Sequence, residues 1–255
     1  MKAESSDSRY RPGPPPLQSD WALFLDVDGC LLEHAATPGQ ARAPAALGRR
    51  LCAIAQQLDG ALALVSGRSI AALDQLFPDC GAVCIAGLHG LERRSGTARA
   101  DAPAPPPALA RLGREAQAMA ERYPGICIEL HGPCLNLHWR GAPQAATPLA
   151  AFADAALPRL PGYAAHHGAH GIEIRPTAAD KGAAIRRFLD EPPFRGRRPV
   201  FAGDDVADER GFAVVNARRG ISVLVGERDD SAARHALPDP GAVRRWLGVP
   251  AEARA

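Results

Sequence analysis

The feature of this sequence that most constrains its fold is a short apolar run that ends in two aspartates. The run extends from Trp21 to Leu25, and Asp26 and Asp28 follow it, with Gly29 next in the chain. An acidic side chain rarely ends a buried strand without a reason, because burying an unpaired charge is costly. We therefore expect this strand to end at a binding or catalytic site.

The same arrangement recurs along the chain and indicates a parallel α/β sheet. Short apolar runs lead into polar loops in "ALALVSGRS", "AVCIAGLHG" and "RPVFAGDD". Before the first of these, Leu47, Leu51, Ile54 and Leu58 fall on one face of a predicted helix that ends near Gly60. Ligands bind just outside the carboxyl ends of the strands in an open parallel sheet. The polar clusters are therefore predicted to meet in one crevice.

The α/β rhythm breaks after Glu92, where a smaller unit is predicted to be inserted. "SGTARADAPAPPPALA" has the composition of a linker. "GICIELHG" and "CLNLHWRG" alternate apolar and polar residues, as the strands of a hairpin do. "TPLAAFADAALPRL" predicts a helix with Thr147 as its N-cap and Pro148 at its first position. "YAAHHGAHGIEIRP" predicts two more strands, which completes a small α+β unit.

These patterns predict one α/β domain that is interrupted by the smaller unit. Residues 20–92 and 172–250 are expected to form the catalytic core, and residues 93–171 the inserted α+β unit. Residues 1–19, which include a proline-rich stretch, are expected to be a disordered N-terminal segment.

Charge and cysteine content exclude several classes of protein. Lys plus Arg number 30 and Asp plus Glu number 28, and this balance argues against a nucleic-acid binder driven by bulk electrostatics. No apolar stretch has the length of a membrane span, and the N-terminus lacks the apolar region of a signal peptide. The six cysteines are expected to be reduced, mostly buried thiols. We expect a cytoplasmic protein that is a monomer and binds a small molecule.

The polar residues at the strand ends indicate chemistry on a phosphate. Three or more carboxylates without a Cys/His set favour a hard cation with oxygen ligands, above all Mg²⁺, which commonly pairs with substrate phosphate. Lys181 opens a helix just before the strand that ends at Asp204, and a cation there suggests that an anion is handled. Asp26 could attack phosphorus directly, and Asp28 could act as general acid and then as general base.

Four motifs in this order, "DVDGCL", "SGR", "ADKG" and "AGDDVADE", resemble those of the haloacid dehalogenase superfamily of phosphatases. The resemblance implies a Rossmann-like core with a parallel sheet. It implies that Asp26 is the nucleophile and Asp28 the acid/base. It also implies that Ser66 and Gly67 bind the transferred phosphoryl group, and that Lys181 neutralises charge on the nucleophile and the phosphate.

The same resemblance implies the metal ligands. Asp26, the main-chain carbonyl of Asp28, and Asp204 would hold Mg²⁺. Asp205 and Asp208 would be outer or water-mediated partners of the ion.

The sequence also resembles a narrower family, trehalose-6-phosphate phosphatase. The segments that carry this resemblance are "GLHGLE", "GPCLNLHWR", "HGIEIRPTAADKG" and "GDDVADE". It implies that the inserted unit is a C2B-type cap, whose residues Arg140, Glu173 and His131 would contact the sugar. The implied reaction is Mg²⁺-dependent hydrolysis of trehalose 6-phosphate to trehalose and phosphate through an aspartyl-phosphate.

Three positions depart from the family's usual pattern. Cys30 stands where a threonine is usual, Ala207 replaces the threonine of "GDDxTDE", and His131 stands where the cap hairpin often has lysine. Cysteine is a weaker hydrogen-bonding group than threonine. A histidine in place of lysine could make sugar-phosphate binding depend on pH.

Several alternatives stay open at this point. The substrate could be sucrose phosphate, mannosyl phosphoglycerate or a hexose phosphate, since only cap residues separate these enzymes. A weakly catalytic sugar-phosphate sensor is a different class, supported by Cys30 and Ala207. Among single residues, Ser66 could be a helix N-cap, Arg68 a surface residue and His89 a core histidine bonded to backbone.

Overall fold

The computed structural model describes residues 10–35, 40–81 and 83–250. Over these residues the chain forms twelve strands and seven α-helices. In chain order the strands are β1 (Trp21–Leu25), β2 (Leu62–Val65), β3 (Cys84–Gly87), β4 (Glu92–Ser95), β5 (Ala98–Ala100), β6 (Cys127–His131), β7 (Cys134–His138), β8 (Tyr163–His167), β9 (Gly171–Pro176), β10 (Arg198–Gly203), β11 (Ile221–Val225) and β12 (His235–Leu237). The helices are α1 (Ala45–Gln57), α2 (Ile70–Leu76), α3 (Pro107–Arg122), α4 (Ala146–Ala156), α5 (Lys181–Leu189), α6 (Glu209–Ala217) and α7 (Pro240–Trp246).

The larger sheet has the strand order β12-β11-β10-β1-β2-β3-β4-β5. Its first six strands run parallel, and β4 and β5 extend the edge antiparallel. The central strand β1 is apolar at every position and fully buried, as is typical of a parallel strand covered by helices on both faces. The predicted α/β class and the predicted parallel sheet are confirmed.

Aromatic side chains fill one side of this sheet next to β1. The ring of Phe24 lies 5.3 Å from that of Phe194 and 6.0 Å from that of Phe188, centroid to centroid. Phe188 belongs to α5, so this packing fixes α5 against the strand that carries Asp26 at its end. Burial of three such rings contributes several kcal/mol to the stability of the core, at about 1.5–3 kcal/mol per large side chain.

A second sheet, the cap sheet, has the order β6-β7-β9-β8 and is antiparallel throughout. Its apolar face packs on α3 and α4. The buried residues of this interface include Leu109, Leu112, Leu135, Leu137, Leu149, Ile172 and Ile174. Because side chains alternate between the faces of a strand, the polar residues of the same strands share the opposite face. The predicted hairpin and the two later strands are confirmed.

The predicted linker after Glu92 is wrong in part. Ser95 ends β4, residues 98–100 form β5, and α3 begins at Pro107, so only residues 101–106 connect the two sheets without a strand or helix. Proline at the first position of a helix suits its missing N–H. The chain therefore leaves the larger sheet, and returns to it, later than the expected boundaries at residues 93 and 171. β4 and β5 belong to the larger sheet, and β9 remains in the cap sheet up to Pro176.

The predicted N-cap of α4 is also wrong. The helix begins at Ala146, after a 3₁₀ turn over Pro143–Ala145, and Thr147 lies inside it. By contrast, α5 has a polar N-cap: the Asp180 carboxylate accepts hydrogen bonds from the N–H groups of Gly182 and Ala183.

Residues 10–19 are not disordered, contrary to the expectation for residues 1–19. The Arg11 guanidinium donates hydrogen bonds to carbonyls of the loop that precedes β12. The indole of Trp246 donates to the carbonyl of Pro15. Residues 1–9 lie outside the described residues. Among the described helices, none combines the length and the apolar character needed to cross a bilayer.

Candidate active site

The strand ends predicted to converge do meet at one edge of the larger sheet. Asp26 follows β1 and Asp204 follows β10, which are neighbours in the sheet. Lys181, the first residue of α5, places its Nζ atom 2.8 Å from Asp26 Oδ1 and 2.7 Å from Asp208 Oδ1. All three of these bonded side chains are at most 6% exposed. A buried lysine thus joins two buried carboxylates that are far apart in sequence.

Burial and charge act against each other in this cluster. Burial raises the pKa of Asp26 well above its usual value, and Lys181 opposes that rise. Burial raises the pKa of Asp208 as well, again against Lys181. Burial opposes the charge on Lys181, but the two carboxylates outweigh it and raise the pKa of the ammonium. The cluster therefore has more negative than positive groups and favours an added cation.

Three carboxylates of this cluster fit a hard divalent ion. One oxygen each of Asp26, Asp204 and Asp208 lie within 4.8 Å of one another. Asp204 Oδ1 is buried and has no hydrogen-bond partner among the described residues. An unpartnered buried oxygen beside two further carboxylates matches the oxygen donor set that Mg²⁺ prefers. These residues fit the predicted ion, with the carboxylate of Asp208 in the cluster in addition to those of Asp26 and Asp204.

Asp208 belongs to the carboxylate cluster itself, whereas an outer or water-mediated role was expected for it. Its Oδ2 accepts hydrogen bonds from the backbone N–H groups of Asp204 and Asp205, both at 3.0 Å. Its Oδ1 binds Lys181. Asp208 therefore fixes the loop that carries Asp204 as well as the lysine. Asp205, by contrast, is exposed and uses its side chain to cap the turn at Val206.

Asp28 is held by Arg68, which the sequence left as a possible surface residue. The Arg68 Nε and Nη2 atoms each lie 2.7 Å from an oxygen of Asp28. The Asp28 carboxylate is not a member of the Asp26 cluster. The chain turns at Gly29, whose φ of 79° is a left-handed conformation that glycine adopts without strain.

Ser66 and Gly67 lie where β2 ends, next to His89. Ser66 is buried, and its hydroxyl accepts a hydrogen bond from the N–H of Arg68. The N-cap of α2 is Ser69, so the alternative in which Ser66 caps this helix is wrong. A Cβ on Gly67 would lie 2.7 Å from His89 Nε2, closer than real side-chain contacts. The imidazole can approach the loop only because residue 67 is glycine.

His89 joins the larger sheet to the cap sheet. Its Nε2 lies 2.9 Å from Glu173 Oε2, and Arg175 contacts the same carboxylate. Burial opposes ionisation of Glu173, but His89 and Arg175 outweigh it and lower the pKa of Glu173 to about 2. Burial lowers the pKa of His89, and the Glu173 carboxylate opposes that shift. The alternative in which His89 bonds only to backbone is wrong.

The polar face of the cap sheet carries a second group of charged side chains, which includes Glu129, a residue that was not predicted from the sequence. His131 and His138 flank Glu129, with Nε2–carboxylate distances of 3.7 and 3.4 Å. The two neighbouring histidines, His131 foremost, lower the pKa of Glu129 to about 2, and Glu129 in turn raises the pKa of His131. Glu129 could have been found from the sequence, since it alternates with His131 on β6. Arg140 is exposed, beyond the end of β7.

Another missed residue is His34, on the loop after β1. Its Nε2 lies 3.1 Å from Asp204 Oδ2. Nothing in the spacing of the motifs marks His34, and only the folded loop brings it to the site.

Of the three departures from the family pattern, Cys30 is buried beside the cluster, where burial raises its thiol pKa. Ala207 lies in the turn Val206–Asp208.

Comparisons with known proteins identify the family of this chain. A model of the trehalose-phosphatase family matches residues 24–240. A probable trehalose-phosphate phosphatase of Sinorhizobium fredii is 42% identical over 208 residues, which cover 81% of this chain and 78% of that protein. The trehalose-6-phosphate phosphatase of Escherichia coli is 40% identical over 218 residues, which cover 83% of this chain and 80% of that protein.

Solved structures share the fold. The C-terminal domain of a Candida albicans trehalose-6-phosphate phosphatase superimposes with a TM-score of 0.78 at 20% identity and covers 95% of this chain and 98% of its own. A haloacid dehalogenase-like hydrolase from Bacteroides thetaiotaomicron has a TM-score of 0.63 at 16% identity, with coverage of 89% and 97%. The fold expected from the haloacid dehalogenase motifs is therefore confirmed, while the C2B type of the cap stays a prediction. Because the family model matches most of the chain and both relatives cover most of it, this chain belongs to the trehalose-phosphatase family and is a phosphoric monoester hydrolase.

Proposed function

We propose that this chain hydrolyses trehalose 6-phosphate to trehalose and phosphate, with Mg²⁺, through an aspartyl-phosphate on Asp26. The observation that carries this proposal is the contact of Lys181 with Asp26 and Asp208 at the ends of the parallel strands. That arrangement supplies a fixed nucleophile, a fixed positive charge and a cluster of carboxylates in one place. The substrate is taken from the family to which the chain belongs.

Asp26 is placed for the first half-reaction. Lys181 holds Asp26 Oδ1, which leaves Oδ2 as the atom that would attack phosphorus. The new Asp26 oxygen–phosphorus bond forms while the bond from phosphorus to the sugar oxygen breaks. Asp26, Asp204 and Asp208 would hold Mg²⁺, whose positive charge would offset the negative charge of the phosphoryl oxygens. Lys181 would stabilise the same negative charge from the protein side.

Asp28 is the acid and base of the proposal. A protonated Asp28 would donate its proton to the departing sugar oxygen. In the second half-reaction, Asp28 would accept a proton from the water that attacks the aspartyl-phosphate, which releases phosphate and restores Asp26. Arg68 donates into both Asp28 oxygens in this structure, so one of the two bonds must open when that oxygen carries a proton, while the other keeps the carboxyl oriented.

The cap sheet would bind the sugar and exclude bulk water. Its polar face carries Glu129, His131 and Glu173, and Glu173 already contacts the core through His89. Carboxylates can accept two hydrogen bonds from neighbouring sugar hydroxyls. We propose that Glu173 and His131 contact the disaccharide, with Arg140 at the edge of the same site. Exclusion of water would protect the aspartyl-phosphate until the sugar leaves.

The test is phosphate release from a panel of sugar phosphates, with Mg²⁺ and with EDTA. We expect trehalose 6-phosphate to be the best substrate, and EDTA to abolish release. The Asp26→Asn variant should fold and bind the substrate but release no phosphate. A folded protein that binds trehalose 6-phosphate without turnover would instead favour the sensor. A better rate on sucrose phosphate or a hexose phosphate would favour a related capped phosphatase.

The expectations of a monomer and of a cytoplasmic location stay predictions. Size-exclusion chromatography with light scattering tests the first, and fractionation of cells tests the second.

A further inference from the structure

Two cysteines outside the active site lie unusually close together. Cys52 on α1 and Cys80, between α2 and β3, have sulfur atoms 2.9 Å apart. This separation is shorter than an ordinary non-bonded sulfur contact. Each sulfur needs to move by only about half an ångström to reach the bond length of a disulfide, about 2.05 Å.

Neighbouring backbone holds both thiols in this position. Cys52 Sγ lies 3.3 Å from the carbonyl oxygen of Asp79, and Cys80 Sγ lies 3.1 Å from that of Gly48. Each thiol can donate its hydrogen to the carbonyl of the opposite segment, so the two sulfurs face each other. Among the described cysteines, no other pair has sulfur atoms in contact. Cys84, for example, contacts the Ser95 hydroxyl instead.

We propose that Cys52 and Cys80 form a redox modification site, which a peroxide converts to a disulfide that links α1 to the segment after α2. Cys52 is half-buried and is the thiol that solvent reaches first, whereas Cys80 is buried. Burial raises the pKa of Cys80 to about 12, so little of it is thiolate. Cys80 is therefore suited to react second, after Cys52 has been oxidised.

The chemistry balances with one molecule of peroxide. Cys52 sulfur attacks a peroxide oxygen and becomes a sulfenic acid, with release of one water. Cys80 sulfur then attacks Cys52 sulfur, the sulfur–oxygen bond breaks, and the hydroxyl leaves with the Cys80 proton as a second water. Two thiols are oxidised and one peroxide is reduced. A dithiol reductant reverses the bond.

The experiment treats the full chain with a small excess of hydrogen peroxide, alkylates the remaining thiols and digests without reductant. Mass spectrometry should find a Cys52–Cys80 linked peptide that dithiothreitol separates. The Cys52→Ala variant should give no such peptide. Cys127→Ala is the matched control, because Cys127 is also a half-buried thiol, and it should keep the link. We expect the free thiol of Cys52 to disappear about tenfold faster than the free thiol of Cys127.

The melting temperature tests whether the bond forms within the native fold. The link closes a long loop of chain, so oxidation should raise Tm by roughly 5–10 °C in the parent and leave the Cys52→Ala variant unchanged. Two free thiols after peroxide treatment would overturn the proposal. So would over-oxidation of Cys52 without a linked peptide, or a linked peptide that lowers Tm.

Discussion

Both carboxylate oxygens of Asp28 accept hydrogen bonds from the guanidinium of Arg68, each at 2.7 Å. A two-point contact of this kind fixes the orientation of a carboxylate as well as its position. Arg68 follows the Ser66–Gly67 loop directly, so the proposed acid/base is fixed from the same loop that would bind the phosphoryl group. Arg68 is thus a positioning residue for Asp28.

Loss of this contact should slow turnover. We expect Arg68→Ala to lower kcat by about 10- to 100-fold, because a misplaced acid/base loses its alignment with the sugar oxygen. Arg68→Lys should restore little, since lysine cannot make the two-point contact. Arg94→Ala is the matched control, because Arg94 binds Asp74 through two bonds of 2.8 Å elsewhere in the core. Equal kcat values for Arg68→Ala and Arg94→Ala would contradict the assignment.

Removal of Lys181 should cost stability in a way that depends on pH. Lys181→Met leaves Asp26 and Asp208 buried without their shared cation, and we expect a loss of about 3 kcal/mol in unfolding free energy at pH 8. Burial already raises the pKa of both carboxyls, and the variant should raise it further. Groups with a raised folded pKa gain stability as the pH falls, so the loss should shrink at pH 5.

Urea unfolding in EDTA at the two pH values measures this effect of Lys181. The control is Arg186→Met, which removes a cation from an exposed position of the same helix. Its stability should change by less than about 0.5 kcal/mol at either pH. A loss for Lys181→Met that does not vary between pH 5 and pH 8 would show that the buried carboxylates are not the cause.

Most of the catalytic end of the sheet could be predicted because it follows from local pattern. A strand that ends in a carboxylate places that carboxylate at the sheet edge, whichever residues lie between the strands. Asp26 and Asp204 were predicted in this way, and Lys181 was predicted as the residue that opens the helix before the strand that ends at Asp204. Arg68 and His34 could not be assigned, because a loop residue gains its partner only when a distant segment packs beside it. His34 reaches Asp204 across 170 positions of sequence.

The inserted segment was harder to predict for a different reason. Proline and alanine around residue 105 have the composition of a linker, yet Pro107 begins a helix whose apolar side is buried against β6 and β7. The tertiary contact, rather than composition, decides that structure. Thr147 is a good N-cap by type, but a 3₁₀ turn leads directly into a helix that begins at Ala146, two residues before the expected first position, Pro148.

The Glu173 carboxylate should make the unfolding free energy fall as the pH falls below about 5. Its pKa of about 2, against an ordinary 4.5, means that its ionised form stabilises the fold above pH 4.5 and that this stability is lost as the pH falls towards 2. We expect the parent to lose about 2 kcal/mol more between pH 5 and pH 3 than Glu173→Gln does. Urea unfolding at both pH values measures the difference. The exposed Glu121→Gln variant should behave as the parent does, and a parent-like slope for Glu173→Gln would contradict the prediction.

The N-terminal strap, residues 10–17, should stabilise the core without taking part in catalysis. Arg11 donates to four carbonyl oxygens at 3.0–3.1 Å, those of Arg228, Asp229, Ser231 and Ala233. Arg11→Ala should lower the unfolding free energy by about 1–3 kcal/mol, since part-buried acceptors lose their donor. The exposed Arg234→Ala should cost less than about 0.5 kcal/mol. Thermal unfolding with kcat/KM measured in parallel checks both, and an Arg11→Ala variant as stable as Arg234→Ala would refute the strap.

His131 should make substrate binding weaken at alkaline pH. Glu129 raises the pKa of His131, so the imidazolium persists above pH 6.5 and is lost as the pH rises through the folded pKa. Glu129, Glu173 and Arg68 are the charged groups that act on this histidine. If the imidazolium attracts the anionic substrate, KM for trehalose 6-phosphate should rise about fivefold above that pKa. His131→Lys keeps its charge and should show a flat KM from pH 6 to pH 9. His167→Lys, at the exposed end of β8, is the control and should keep the parent's rise. A rise that persists in His131→Lys would assign the titration to another group.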